Sequence, residues 1–127
     1  MSDIELSSEA DLAGLTILVV EDDTMIGFFV EDMLSDFGCS VWLASGVAEA
    51  MALLDRQSPN GAVLDINLGA EMVFPVAEAL RARGTPFTFL TGYTAPPRAS
   101  EFDTPVLTKP VDVDELGRVL GRFRPAA

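Results

Sequence analysis

The sequence predicts an α/β fold: a doubly wound, five-stranded parallel sheet with helices on both faces. Three observations predict it. Short apolar runs alternate along the chain with segments whose apolar residues recur at helical spacing. The best of these runs is apolar at consecutive positions rather than every second one, as in strands buried on both faces. Polar residues capable of chemistry collect at the C-terminal ends of the runs, which right-handed crossovers bring to a single rim where such sheets hold ligands.

Residues 1–14 are polar and acidic, a loose tail or one short helix. Leu15-Thr16-Ile17-Leu18-Val19-Val20 reads as the first strand, and Glu21-Asp22-Asp23-Thr24 supplies caps for a helix from Thr24 to Phe37. Ile26, Phe29, Val30, Met33, Leu34 and Phe37 would face inward, and Gly38 stops that helix. Ser40–Ala44 reads as a second strand. Val47–Gln57 follows as a helix with Val47, Met51 and Leu54 inward, ending at the turn Ser58-Pro59-Asn60-Gly61. Ala62-Val63-Leu64 forms a third strand closing on Asp65, and Phe74–Arg83 a third helix ended by Gly84. Pro86–Leu90 is the fourth strand, leading into Thr91-Gly92-Tyr93. Residues 94–104 are rich in Pro, Ala and Ser, so a fourth helix there is short or irregular, with few buried contacts to hold it. Pro105–Thr108 is the fifth strand, and Asp112–Phe123 the last helix, with Leu116, Val119 and Leu120 inward.

Composition narrows the chemistry. A length of 127 residues fits one domain, and 49% hydrophobic residues with a mean hydropathy of +0.31 exclude disorder as the main state. No apolar run approaches the roughly 20 residues that span a bilayer. The acidic start, Met1-Ser2-Asp3-Ile4-Glu5, is unlike a secretory signal. The single cysteine, Cys39, cannot form an internal disulfide, which fits a reducing cytoplasm. Twenty acids against eight bases give a net charge of −12, which argues against direct binding to nucleic acid or to an anionic membrane. Histidine is absent, removing Ser-His-Asp hydrolysis and His-ligated zinc. A metal here would be held by oxygen, hence a hard cation such as Mg²⁺.

Glu21, Asp22, Asp65 and Thr91 fall at strand ends, and Lys109, the only lysine, lies just past the fifth strand. Taken singly, each has an ordinary explanation as a helix cap, a turn residue or a solvated loop charge. Together they supply what phosphoryl transfer needs: a nucleophilic oxygen, acids for a divalent cation, an ammonium and a hydroxyl donor.

Four runs carry a resemblance: Ile17-Leu18-Val19-Val20-Glu21-Asp22-Asp23, Val63-Leu64-Asp65-Ile66-Asn67, Leu90-Thr91-Gly92 and Thr108-Lys109-Pro110. In this order they resemble the receiver domain of two-component response regulators, over residues 15–124, with no output domain after it. The resemblance implies a flavodoxin-like sheet of order 2-1-3-4-5. It implies that Asp65 is the phosphoacceptor and that Asp22, Glu21 and the Asn67 backbone carbonyl join Asp65 in holding Mg²⁺. Lys109 and Thr91 would contact the phosphoryl group, and the Lys109–Pro110 peptide would be cis. The partners implied are a sensor histidine kinase or a histidine phosphotransfer protein and a downstream protein, in the cytoplasm, for a stand-alone regulator rather than a conventional enzyme.

Departures from the family accompany these matches. The loop Asn67-Leu68-Gly69-Ala70-Glu71-Met72 lacks the usual Pro-Gly pattern, and Gly92 stands where Ala is common. Val106 occupies the place of an aromatic switch residue, and the interval from Thr91 to Lys109 is short. Phe89-Leu90-Thr91-Gly92-Tyr93 resembles the run of a receiver subgroup named for Phe-Ala-Thr-Gly-X-Tyr, with Leu90 for Ala and X missing. Tyr93 then takes the switch role or is simply a rim aromatic, and residues 94–104 are expected to be the mobile readout segment. A haloacid-dehalogenase-like phosphatase would place its nucleophile first, in an Asp-X-Asp run, whereas here the acid pair comes first and Asn67 replaces the second Asp. A pseudo-receiver would have lost one of the site residues, and a flavin binder would show a phosphate loop.

Overall fold

The computed structural model describes residues 12–92 and 94–123. In chain order the elements are β1 (Thr16–Val20), α1 (Thr24–Asp36), β2 (Ser40–Ala44), α2 (Val47–Arg56), β3 (Gly61–Asp65) and α3 (Phe74–Ala82). They continue through β4 (Phe87–Thr91), a 3₁₀ helix (Pro97–Phe102), β5 (Val106–Thr108) and α4 (Val113–Gly121). The strands form one parallel sheet of order β2-β1-β3-β4-β5. This is the flavodoxin-like order that the resemblance implied.

The continuous apolar runs are central strands, and their side chains divide between two cores with period two. Leu18, Val20, Ala62, Leu64, Phe87 and Phe89 pack on one face with α2 and α3. Ile17, Val19, Val63, Leu90 and Leu107 pack on the other with α1 and α4. Burial on both faces is what makes every position of β3 and β4 inaccessible.

Helix α1 starts where the Asp23 side chain accepts the Ile26 N–H at 3.1 Å. Its buried line runs through Gly27, Val30 and Leu34. Of the expected face, Val30 and Leu34 are buried and Ile26, Met33 and Phe37 pack against the same core, but Phe29 is 61% exposed and departs from it. Apolar residues occupy nearly all sides of this helix, so periodicity alone did not orient it. Contact with β2 did: a Cβ on Gly27 would lie 3.3 Å from Leu43 Cδ1. In α2, Ala50 and Leu54 are buried while Val47 and Met51 are half-covered. Helix α4 is capped by Asp112, whose carboxylate accepts the Asp114 and Glu115 N–H groups, and buries Leu116, Val119 and Leu120 as expected.

Two expectations about loosely held segments need correction. Residues 12–14 are not tail: they form a turn whose Leu12 is 2% exposed in the core beside Cys39, while residues 1–11 lie outside the described residues. The second concerns 94–104, which does form a short 3₁₀ helix but is not poorly anchored. Ala99 and Phe102 are buried, and the Phe102 ring stacks on Phe74 and meets Phe87 and Phe89 edge-on. Arg81 lies 4.4 Å over Phe102 and Arg98 4.9 Å over Phe74, and both arginines pair with Glu78. One phenylalanine outweighs the small and breaker residues around it.

Gly61 opens β3 beneath Phe123, which follows α4. A Cβ there would sit 2.3 Å from Phe123 Cδ2. Gly61→Ala should therefore cost about 1–3 kcal/mol in urea unfolding, from overpacking. In a Phe123→Ala background most of that cost should vanish; equal costs in both backgrounds would contradict this packing.

Candidate functional site

Parallel register assembles the site. Val20 pairs with Leu64, Asp65 with Leu90, and Thr91 with Thr108. Glu21, Asp65, Thr91 and Lys109 therefore emerge on one rim from four different strands. Backbone bonds fix them there: Glu21 N–H donates to Ala44 O at 3.0 Å, Ile66 N–H to Leu90 O at 2.9 Å, and Lys109 N–H to Thr91 O at 2.8 Å. An open cleft of about 690 Å³ runs over this rim and also reaches Asp22 and Asn67.

Glu21 and Asp65 are both buried, at 3% exposure. Lys109 Nζ lies 2.9 Å from Glu21 Oε1 and 3.2 Å from Asp65 Oδ2, so one ammonium serves two carboxylates. Asp22 is exposed, yet carboxylate oxygens of Glu21, Asp22 and Asp65 all lie within 4.8 Å of one another. Burial pushes the Glu21 carboxyl up to about 7, helped by its contact with Asp65 and opposed by Lys109 and by the Asp23 N–H at 3.1 Å. Burial acts to lower the Lys109 pKa, but its bond to Glu21 and the charges of both acids outweigh that, so the ammonium is held above its ordinary value. Three acids against one base leave an excess of negative charge with hard oxygen donors, which suits a small divalent cation.

Asn67 sits in the loop after β3, paired with Met72 in an antiparallel bridge. The flanking bonds, Leu68 N–H to Glu71 O and Val73 N–H to Ile66 O, make this a non-hydrogen-bonded pair, so the bridge does not use the Asn67 carbonyl. Its side-chain oxygen accepts the Gly69 N–H at 3.0 Å. The Lys109–Pro110 peptide is cis. Gly92 lies beside Lys109, where a Cβ would make only ordinary contact at 3.9 Å. Tyr93 lies outside the described residues. Val106 is not brought to this rim; it is 38% exposed and lines a separate groove beside the 3₁₀ helix with Ala95, Ser100 and Arg122.

Sequence reasoning missed two parts of the surroundings. An apolar groove of about 530 Å³, lined by Ile26, Phe29, Met33, Pro110 and Val111, adjoins Lys109. Its signal was the excess of apolar residues around α1. Gly69, with φ +83°, also lines the cleft, and Glu71 ties the same loop to α2. The glycine was a visible turn signal, but nothing local to Glu71 betrays its partner, the Val47 N–H on α2.

Comparison with known proteins is consistent across sequence and structure. A family model described as the response regulator receiver domain matches residues 17–120. The chain is 33% identical over 118 residues to the acid tolerance regulatory protein ActR of Sinorhizobium medicae, covering 87% of this chain and 61% of that protein's length. The solution structure of SdrG from Sphingomonas melonis superposes with a TM-score of 0.74 at 36% identity, covering 86% of this chain and 95% of that one. The receiver domain of the sensor histidine kinase PA1611 of Pseudomonas aeruginosa, with a magnesium ion coordinated in its active-site cleft, superposes with a TM-score of 0.76 at 27% identity. That match covers 87% of this chain and 98% of that one.

Because Lys109 opposes the rise in the Glu21 pKa, Lys109→Met in metal-free buffer should move the Glu21 carboxyl titration, followed by carbon-detected NMR, above its wild-type midpoint. An unchanged or lower midpoint would contradict the assigned contact.

Proposed function

The chain belongs to the response regulator receiver domain family, and on that premise we propose that it accepts a phosphoryl group on Asp65 in a Mg²⁺-dependent reaction. The observation that carries this reading is the Lys109 ammonium shared between buried Glu21 and Asp65, with Asp22 in the same carboxylate cluster. These 127 residues contain no histidine, so a phosphohistidine donor lies outside them, on a sensor histidine kinase or a histidine phosphotransfer protein.

An Asp65 carboxylate oxygen attacks the phosphorus, the P–N bond of the donor breaks, and the imidazole leaves with its electron pair. Lys109 gives up its contact with Asp65 and pairs with a phosphoryl oxygen. Thr91, 8% exposed at the end of the neighbouring strand, donates its hydroxyl to another. Glu21, Asp22, Asp65 and the Asn67 carbonyl would hold Mg²⁺, which supplies charge neutralisation on the phosphoryl oxygens. The donor docks on the α1 side of the cleft, where Phe29, 61% exposed, lines the apolar groove and Met25 and Phe28 of the same helix are also exposed.

On this reading the chain is not a conventional enzyme, since it promotes only its own aspartyl phosphorylation and dephosphorylation. It signals through contact with a downstream protein or by passing the phosphoryl group on. The net charge of −12 disfavours direct contact with nucleic acid or an anionic membrane. Among the described residues no helix is long and apolar enough to cross a membrane, which is compatible with work in the cytoplasm.

Intact-mass measurement with acetyl phosphate and Mg²⁺ should show one phosphoryl adduct on the wild type, and none on Asp65→Asn or in EDTA. Equal yields under any of these conditions would refute the reading. Stability adds a second expectation. Metal-free folded protein keeps a proton on Glu21 that the unfolded chain has released, so Glu21 costs stability as pH rises from its ordinary 4.5 through about 7. A cation competes with that proton. The melting-temperature gain from Mg²⁺ should therefore be larger at about pH 8 than at about pH 5; an equal gain at both would contradict the coupling.

A further inference from the structure

The loop after β3 is tied to an element that gives nothing to the rim. It closes on itself through the Asn67–Met72 bridge, and its tip, Gly69, runs beside one member of the acid cluster: a Cβ there would lie 3.5 Å from Asp22 Oδ2. From the same loop the Glu71 carboxylate leaves the hairpin and accepts the Val47 N–H, the first of α2, at 3.1 Å. Gly46 makes room for it, since a Cβ at Gly46 would sit 3.0 Å from Glu71 Oε2. Gly46 offers the helix no side-chain cap of its own. A second acid, Glu49, binds the Ser45 N–H at 2.6 Å from within the helix. Two carboxylates thus serve one helix start, where the helix dipole favours them, but only Glu71 is joined to the loop beside the carboxylate cluster.

We infer that Glu71 is a positioning residue: held on the start of α2, its carboxylate fixes the loop that carries Asn67 and runs beside Asp22, and so sets the affinity of the rim for a divalent cation. This rests on the reading that the rim binds Mg²⁺. Without the anchor, the loop keeps its bridge but loses its fixed placement beside Asp22, and Asn67, which lines the same cleft as the three acids, is no longer held there. Supports behind the ligands of a metal commonly matter in this way.

Calorimetric titration of the full chain with Mg²⁺ alone, beside melting curves and amide hydrogen exchange, separates this role from simple helix capping. Glu71→Ala should bind Mg²⁺ roughly tenfold more weakly and exchange faster at residues 67–69. Glu71→Gln retains an acceptor for the Val47 N–H and should restore near-wild-type affinity. Glu49→Ala should lower the melting temperature much as Glu71→Ala does, yet bind Mg²⁺ like the wild type. Gly46→Ala, which crowds the carboxylate, should weaken Mg²⁺ in the direction of Glu71→Ala. Wild-type affinity in Glu71→Ala, or equal weakening in Glu49→Ala, overturns the inference while leaving Asp65 phosphorylation intact as a proposal. A wild-type chain that binds no Mg²⁺ overturns both.

Discussion

Glu21 and Asp65 sit side by side at a sheet rim, each almost completely buried, and they coexist there because the Lys109 ammonium lies between them. The crowding is a consequence of topology. Parallel strands all end on the same edge, so polar residues following β1, β3, β4 and β5 are forced together whatever their charges. A buried acid without a partner either takes up a proton or destabilises the fold. One lysine relieves the two buried acids but leaves Asp22 and the net negative charge uncompensated. On the proposed reading, that residual charge is what a divalent cation, and with it a phosphoryl group, would neutralise.

The same constraint explains what was legible in the sequence. Strand ends are marked by a change from a continuous apolar run to a charged residue, and Val20-Glu21, Leu64-Asp65 and Thr108-Lys109 carry that mark plainly. Element positions followed within a residue or two, because caps such as Asp23 and Asp112 and stops such as Gly38 act locally. Orientation did not follow where the cause was distant. Gly27 faces inward because Leu43 of β2 lies against it, and no periodicity within α1 encodes that contact. Glu71 reaches a helix 24 positions away, which leaves no trace in its own neighbourhood. Residues 94–104 were misjudged for a related reason. Composition averages over the segment, whereas the anchoring is done by Phe102 inserted among Phe74, Phe87 and Phe89.

That anchoring bears on how a change at Asp65 would leave the rim. Val106 has no ring and faces a groove away from the site, so a hydroxyl-to-aromatic relay along β5 has nothing to act on there. The alternative route is through the backbone that follows Thr91 into the 3₁₀ helix, whose Phe102 is buried against the ring of Phe89, two residues before Thr91. Movement of Thr91 toward a phosphoryl oxygen would strain a packed aromatic cluster rather than a loose loop. Arg81 and Arg98 fasten the outer side of that cluster to α3 through Glu78. Such a cluster has discrete packings rather than a continuum, which is the property a two-state signal needs.

The role proposed for Asp65 depends on which oxygen takes the phosphoryl group. Acyl phosphates are reduced by borohydride to the alcohol, so phosphorylated protein treated with borohydride and digested reports the acceptor directly by peptide sequencing. Homoserine at position 65, and at no other acid, is the result expected. Homoserine at position 22, or a phosphorylated chain in which position 65 remains aspartate, would contradict the assignment of Asp65 and the role given to Lys109 beside it.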